Sequence, residues 1–242
     1  TLCVGGENRV LVIDPSGTNQ FMEVPGLVRA IALASDGSLL ATVGGTIFAG
    51  RPGATPVAWH AFGGRSIITS LAVTDSQVFA ADAGRRLFHK LAPDGRLLAS
   101  YGARNAERDI DGFVVPSPHF ALAMAPDGLL RVVNPGRHRI EVWTTGGDCE
   151  LKWGRAGNDP ASFCGCCNPS FIAIMRDGRF VTSENGLLRV KLYTPEGHFA
   201  GIIAPSIEFG DATEPLPVAV DARNRVLVLD GERGRLHIYK VR

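Results

Sequence analysis

Leu122-Ala123-Met124-Ala125-Pro126-Asp127-Gly128-Leu129-Leu130-Arg131-Val132-Val133 reads as a short strand, a tight turn and a second strand. Asp127-Gly128 supplies the positive φ that a hairpin needs at its tip. The apolar-alanine-apolar opening recurs at Ile31-Ala32-Leu33, Leu71-Ala72-Val73, Ile172-Ala173-Ile174 and Val218-Ala219-Val220. Its alanines, Ala32, Ala72, Ala123, Ala173 and Ala219, stand 40, 51, 50 and 46 residues apart. Asp36-Gly37 and Asp177-Gly178 repeat the turn, and Asp75-Ser76-Gln77 and Ala222-Arg223-Asn224 stand in for it elsewhere.

The remainder of each unit is periodic too. Second strands follow at Leu39 to Val43, Val78 to Ala81, Leu130 to Val133, Phe180 to Ser183 and Val226 to Leu229. An arginine then opens a third strand at Arg86, Arg139, Arg189 and Arg235, and at Arg9 near the start. A further hairpin turn (Pro93-Asp94-Gly95, Gly146-Gly147-Asp148, Pro195-Glu196-Gly197) leads to a fourth strand. Four short antiparallel strands per repeat, with alanine where inner strands crowd, are the signature of a β-propeller blade. The fold class is therefore all-β: a six-bladed β-propeller of four-stranded antiparallel blades with incomplete terminal blades. Its blades fall at about 1–26, 27–64, 65–104, 113–156, 168–204 and 217–242, within a single domain, 1–242. The first blade lacks its first strand and the last its fourth, so residues are expected to precede Thr1.

Composition narrows the partners. The 242 residues carry 25 basic and 24 acidic side chains for a formal charge of +1, which gives no global field for nucleic acid or an anionic membrane. No run approaches a transmembrane segment. Nucleophile-elbow, phosphate-loop and HExxH motifs are missing from the sequence.

The strand-Asp-Gly-strand-loop-Asn/Gly-x-Arg-strand pattern, with Asn168-Pro169 ahead of a first strand, resembles NHL-repeat β-propellers along essentially the whole chain. Val132 to Arg139 and the segment Phe163-Cys164-Gly165-Cys166-Cys167-Asn168-Pro169 resemble a bacterial subset that carries Phe-Cys-Gly-Cys-Cys-Asn-Pro. That resemblance implies a fold and no particular reaction.

Three consecutive blade-to-blade crossovers are long, about 102–118, 154–170 and 204–216, against the few residues between Phe62 and Ile67. Long loops in a compact fold are commonly functional, so a site is expected on the face they share. Cys164, Cys166 and Cys167 crowd into the middle one. Clustered thiolates suit copper, zinc or iron, with His119 as the best-placed fourth ligand. Equally open are a Cys164–Cys167 or Cys164–Cys166 disulfide, and thiol redox chemistry. Cys149 falls on the opposite face, and Cys3 reads as a small buried apolar residue. The acidic residues Glu107, Asp109, Asp111, Glu208, Asp211 and Glu214 are either Ca²⁺ ligands or a solvated loop surface. Trp59, Trp143 and Trp153 are expected on outer strands, packing blade against blade.

The functional expectation is a non-catalytic propeller that binds a protein or a small-molecule ligand on the long-loop face, outside the cytoplasm. The alternatives are a metal-dependent hydrolase or lyase with its site at the channel mouth, and a copper- or thiol-redox protein. Similar six-bladed propellers include calcium-dependent lactonases, for which Asn134, Glu184 and Asn185 are the candidate ligands here, and a zinc-dependent amidating lyase, which would need several histidines.

Overall fold

The computed structural model describes residues 1–34 and 36–241. Its strands form six antiparallel sheets, each built in chain order. They are distributed over two compact units, Thr1–Gly102 and Ala103–Arg242.

In the first unit, β1 (Leu2–Gly5), β2 (Arg9–Ile13) and β3 (Asn19–Glu23) make the first blade. The second holds β4 (Val28–Leu33), β5 (Leu39–Val43), β6 (Thr46–Gly50) and β7 (Val57–Ala61). The third holds β8 (Ile68–Val73), β9 (Val78–Asp82), β10 (Leu87–Leu91) and β11 (Leu97–Tyr101). In the second unit, β12 (Leu122–Met124), β13 (Leu130–Asn134), β14 (Arg139–Trp143) and β15 (Cys149–Trp153) make the fourth blade. The fifth consists of β16 (Phe171–Ile174), β17 (Phe180–Ser183), β18 (Val190–Tyr193) and β19 (Phe199–Ala204). The sixth has β20 (Val218–Val220), β21 (Arg225–Asp230) and β22 (Arg235–Lys240). This is an all-β, six-bladed β-propeller with four-stranded blades, two of which have three strands.

The Asp-Gly turns behave as their chemistry demands. Gly128 and Gly178 adopt φ of +81° and +85°. The preceding aspartates accept from the backbone two residues on, Leu129 N to Asp127 Oδ1 at 3.0 Å and Arg179 N to Asp177 Oδ1 at 3.1 Å. Second strands are the most deeply buried: β9 and β13 are buried at every residue. The inner-strand alanines vary, from buried Ala72 and Ala173 to exposed Ala219.

Apolar side chains pack between neighbouring blades. Leu40 and Ile47 of the second blade meet Ile68, Val78 and Leu91 of the third. Val181 and Val190 of the fifth meet Val226 and Val228 of the sixth. Each fully buried Val, Leu or Ile contributes roughly 1.5–3 kcal/mol.

Two tryptophans lock adjacent blades through the turn that precedes the fourth strand. A Cβ at Gly95 (φ +88°) would lie 2.6 Å from the Trp59 carbonyl oxygen and 3.2 Å from its ring. At Gly197 (φ +93°) it would lie 2.8 Å from the Trp153 ring. Trp143 departs from the expectation: it ends a third strand, is 1% exposed, and packs on Phe113 at 5.6 Å between centroids. Two of the expected strand-opening arginines, Arg86 and Arg189, sit one residue ahead of their strands.

Candidate functional site

One polar position recurs at, or one residue past, the end of the second strand in the third to sixth blades. Asp82, Asn134, Glu184 and Asp230 stand opposite the residue five places on, across the hairpin to the third strand. All four are buried. Side chains on one strand face alternate with a period of two, so the residue seven places on lies diagonally across the same face. It is His89, Glu141, Lys191 and His237 in turn.

In three blades this polar position receives the crossover entering that blade. Asp82 Oδ1 accepts from Ile67 N at 3.0 Å, and Asp82 Oδ2 pairs with His89 Nε2 at 3.2 Å. Asn134 Oδ1 accepts from Val114 N at 2.9 Å, while Asn134 Nδ2 donates to Glu141 Oε1 at 2.7 Å. Glu184 Oε1 accepts from Cys164 N at 3.2 Å; Arg189 Nε donates to Glu184 Oε2 at 2.6 Å and Lys191 Nζ lies 3.4 Å from Oε1. The sixth blade moves the function to Glu232, whose Oε1 accepts from Thr213 N and Glu214 N at 3.0 and 2.8 Å.

The middle long crossover is held most elaborately. Lys191, with no exposed surface, donates to Ser162 O at 2.9 Å and sits 4.2 Å from the centre of the Phe163 ring. Burial lowers its pKa to about 8 despite the facing Glu184. Burial also pushes the neighbouring Tyr193 hydroxyl up, with the Glu184 charge acting in the same direction. Buried Asn168 closes the loop: its Nδ2 donates to Cys164 O and, at 2.8 Å, to Asn185 O, and its Oδ1 accepts from Asn185 N at 2.6 Å. The Asn168-Pro169 peptide is cis. His138 Nε2, from the fourth blade, lies 2.5 Å from Gly165 O.

The expected site residues separate on this frame. Cys164 Sγ donates to Asn158 Oδ1 at 3.3 Å. The close thiol pair is exposed Cys166 with buried Cys167, their sulfurs 3.5 Å apart. All five cysteines are free thiols, so neither Cys164–Cys167 nor Cys164–Cys166 is bridged. His119 is half-buried, its ring 5.6 Å from that of Phe171. Among the described residues, no three His, Cys, Asp or Glu side chains converge on a common point. Cys3 is half-buried against the core of the first two blades. Cys149 opens β15, and burial raises its pKa to about 11 with help from the Glu141 charge.

The acidic loop residues are largely paired. Asp111 bonds Arg139 at 2.6 Å, Asp109 bonds Lys152 at 2.7 Å, Asp211 bonds Arg233, and Glu208 accepts from the Tyr239 hydroxyl at 2.6 Å. Asn134 and Glu184, the residues a lactonase-like calcium site would use, are consumed as buried crossover supports. The recurrence of Asp/Asn/Glu/Asp at 82, 134, 184 and 230, each with a polar residue seven places on, was present in the sequence as a signal for those supports.

Six antiparallel sheets, four of them with a polar support at the end of the second strand, define a six-bladed propeller that carries its variation in its crossovers. No protein-family model matches the chain. Over 154 residues it is 25% identical to the human (Homo sapiens) E3 ubiquitin-protein ligase NHLRC1, covering 63% of this chain and 36% of that protein. That likeness supports an NHL-type propeller, and the chain spans about a third of the relative's length. Virginiamycin B lyase from Staphylococcus aureus superposes with a TM-score of 0.67 at 12% identity, over 98% of this chain and 74% of that one. Glutaminyl cyclase from Myxococcus xanthus does so at 0.57 and 13%, over 88% and 89%. These two likenesses establish the fold alone. Among the described residues no helix is long and apolar enough to cross a membrane.

Proposed function

We propose that this propeller is a non-catalytic protein-binding module whose recognition surface is the long-crossover face of the fourth to sixth blades. The observation that carries the reading is the combination of rigid support and exposed apolar tips on that face. Three long crossovers are tied down from beneath, while Val114, Leu187 and Ile207 expose 37%, 39% and 85% of their surface. Exposed apolar side chains on a fixed polar frame are the composition of an interface, and preorganisation lowers the ordering cost of binding. The E3 ligase relative favours a protein partner over a small molecule.

Photo-crosslinking residues placed at positions 114, 187 and 207, and at exposed Leu33 as a control, test this. A partner trapped from positions 114, 187 and 207 but not from position 33, and released tenfold or more faster by Ile207→Asp, is the expected result. Crosslinking from position 33 alone would overturn the assignment of the face.

A further inference from the structure

We infer that Cys166 and Cys167 form a two-thiol site for one thiophilic metal ion of tetrahedral habit, zinc or cadmium, on the long-crossover face. Their sulfurs stand 3.5 Å apart. At that separation they subtend ~100° at an ion ~2.3 Å from each, close to a tetrahedral angle. An ion that demands a linear pair of sulfurs fits this spacing poorly.

The pair is also held and presented. Asn185 Nδ2 lies 3.7 Å from Cys167 Sγ. The backbone on either side is fixed by Glu184 on Cys164 N and by the Asn168 side chain on Cys164 O and Asn185. Gly165, at φ +84°, makes the turn between these supports. Cys166 is exposed, so an ion reaches the pair from solvent. Cys164 is directed to Asn158 and His119 packs by Phe171, which leaves the remaining coordination positions to water or to a donor brought by another molecule. Binding exchanges two S–H protons, released to solvent, for two metal–sulfur bonds. This inference does not depend on the protein-binding reading.

The test is titration of the reduced chain with Cd²⁺, followed by thiolate-to-cadmium absorbance in the ultraviolet, with Zn²⁺ as competitor. One equivalent of Cd²⁺ per chain is expected, displaced by Zn²⁺. Exposed Cys166→Ser should weaken binding at least tenfold with an unchanged circular dichroism spectrum, and Cys167→Ala should do the same. Cys164→Ser and Cys149→Ser should bind as the parent does. Absence of the band in the parent chain, or its persistence in Cys166→Ser, would overturn the site. Its loss in Cys164→Ser would overturn the two-thiol assignment in favour of three thiolates.

Discussion

The crossover into the third blade runs from Phe62 to Ile67 and hangs from Asp82; the crossover into the fifth runs from Gly154 to Ser170 and hangs from Glu184. Both supports occupy the same place at the end of a second strand, and both use the residue seven places on. The short crossover needs one carboxylate and a histidine, His89 at 3.2 Å. The long one adds two buried cations, Arg189 and Lys191, which also reach Ser162 O within the loop. Length has been added at one blade position by strengthening its support, not by relocating it. A long loop has more closure entropy to overcome, and a buried carboxylate between two cations supplies a directional hold. That hold is conditional, because each buried charge depends on the others.

The comparison breaks most sharply when the carboxylates are neutralised. Glu184→Gln should cost about 3–5 kcal/mol in denaturant unfolding, because Arg189 and Lys191 are left buried beside a neutral amide. Asp82→Asn should cost about half as much. Burial alone would raise the Asp82 pKa, but bonds from His89 and the Ile67 amide outweigh it and hold it below the ordinary value. Asp82 therefore stabilises the fold above about pH 4, and that contribution is lost as pH falls through its lower folded pKa. Equal costs at positions 184 and 82 would remove the distinction.

Next in size is a pH effect at Lys191. Its pKa of about 8 lies below an ordinary lysine's ~10.4, so in that window the unfolded chain binds more protons and stability rises with pH. Measured against Lys191→Met, the parent should gain about 2–3 kcal/mol between the two pKa values. A flat difference would show that the lysine is not held charged against burial.

Asn168→Ala should cost about 1–3 kcal/mol by leaving Cys164 O and the Asn185 backbone short of a partner. Amide exchange should accelerate in 154–170 and stay unchanged at 62–67. The smallest effect is expected from Arg108→Ala, which removes an exposed pair with Asp148 at 2.5 Å and should shift stability by less than about 1 kcal/mol.

The blades were legible because their punctuation is local. An Asp-Gly turn, the alanine before it and the arginine after the second strand lie within some twenty residues, and each follows from backbone conformation. The supports were harder to read. Asn134 and Glu184 acquire their role only when a hairpin brings positions five and seven places on across from them, and when a loop returns from about twenty residues upstream. The cysteine segment shows the same divide. Its spacing drew attention to Cys164, Cys166 and Cys167 as one group, whereas Glu184 and Asn168 hold the backbone so that only the adjacent pair meets. Trp143 differs from its expected place for a related reason: its side chain serves the third strand and the Phe113 crossover, not the fourth-strand position of Trp59 and Trp153.

Those last two tryptophans bear on how such a chain can be cut and rejoined. Trp59 leans on Gly95, and Trp153 on Gly197, so the partners straddle the covalent limits of a blade. A graft made at those limits would import a glycine without its indole or an indole without its glycine. The exchangeable cassette therefore begins at one outer strand and ends before the next, one strand out of step with the sheets themselves, and a duplication that lengthened the array would have to copy that offset segment.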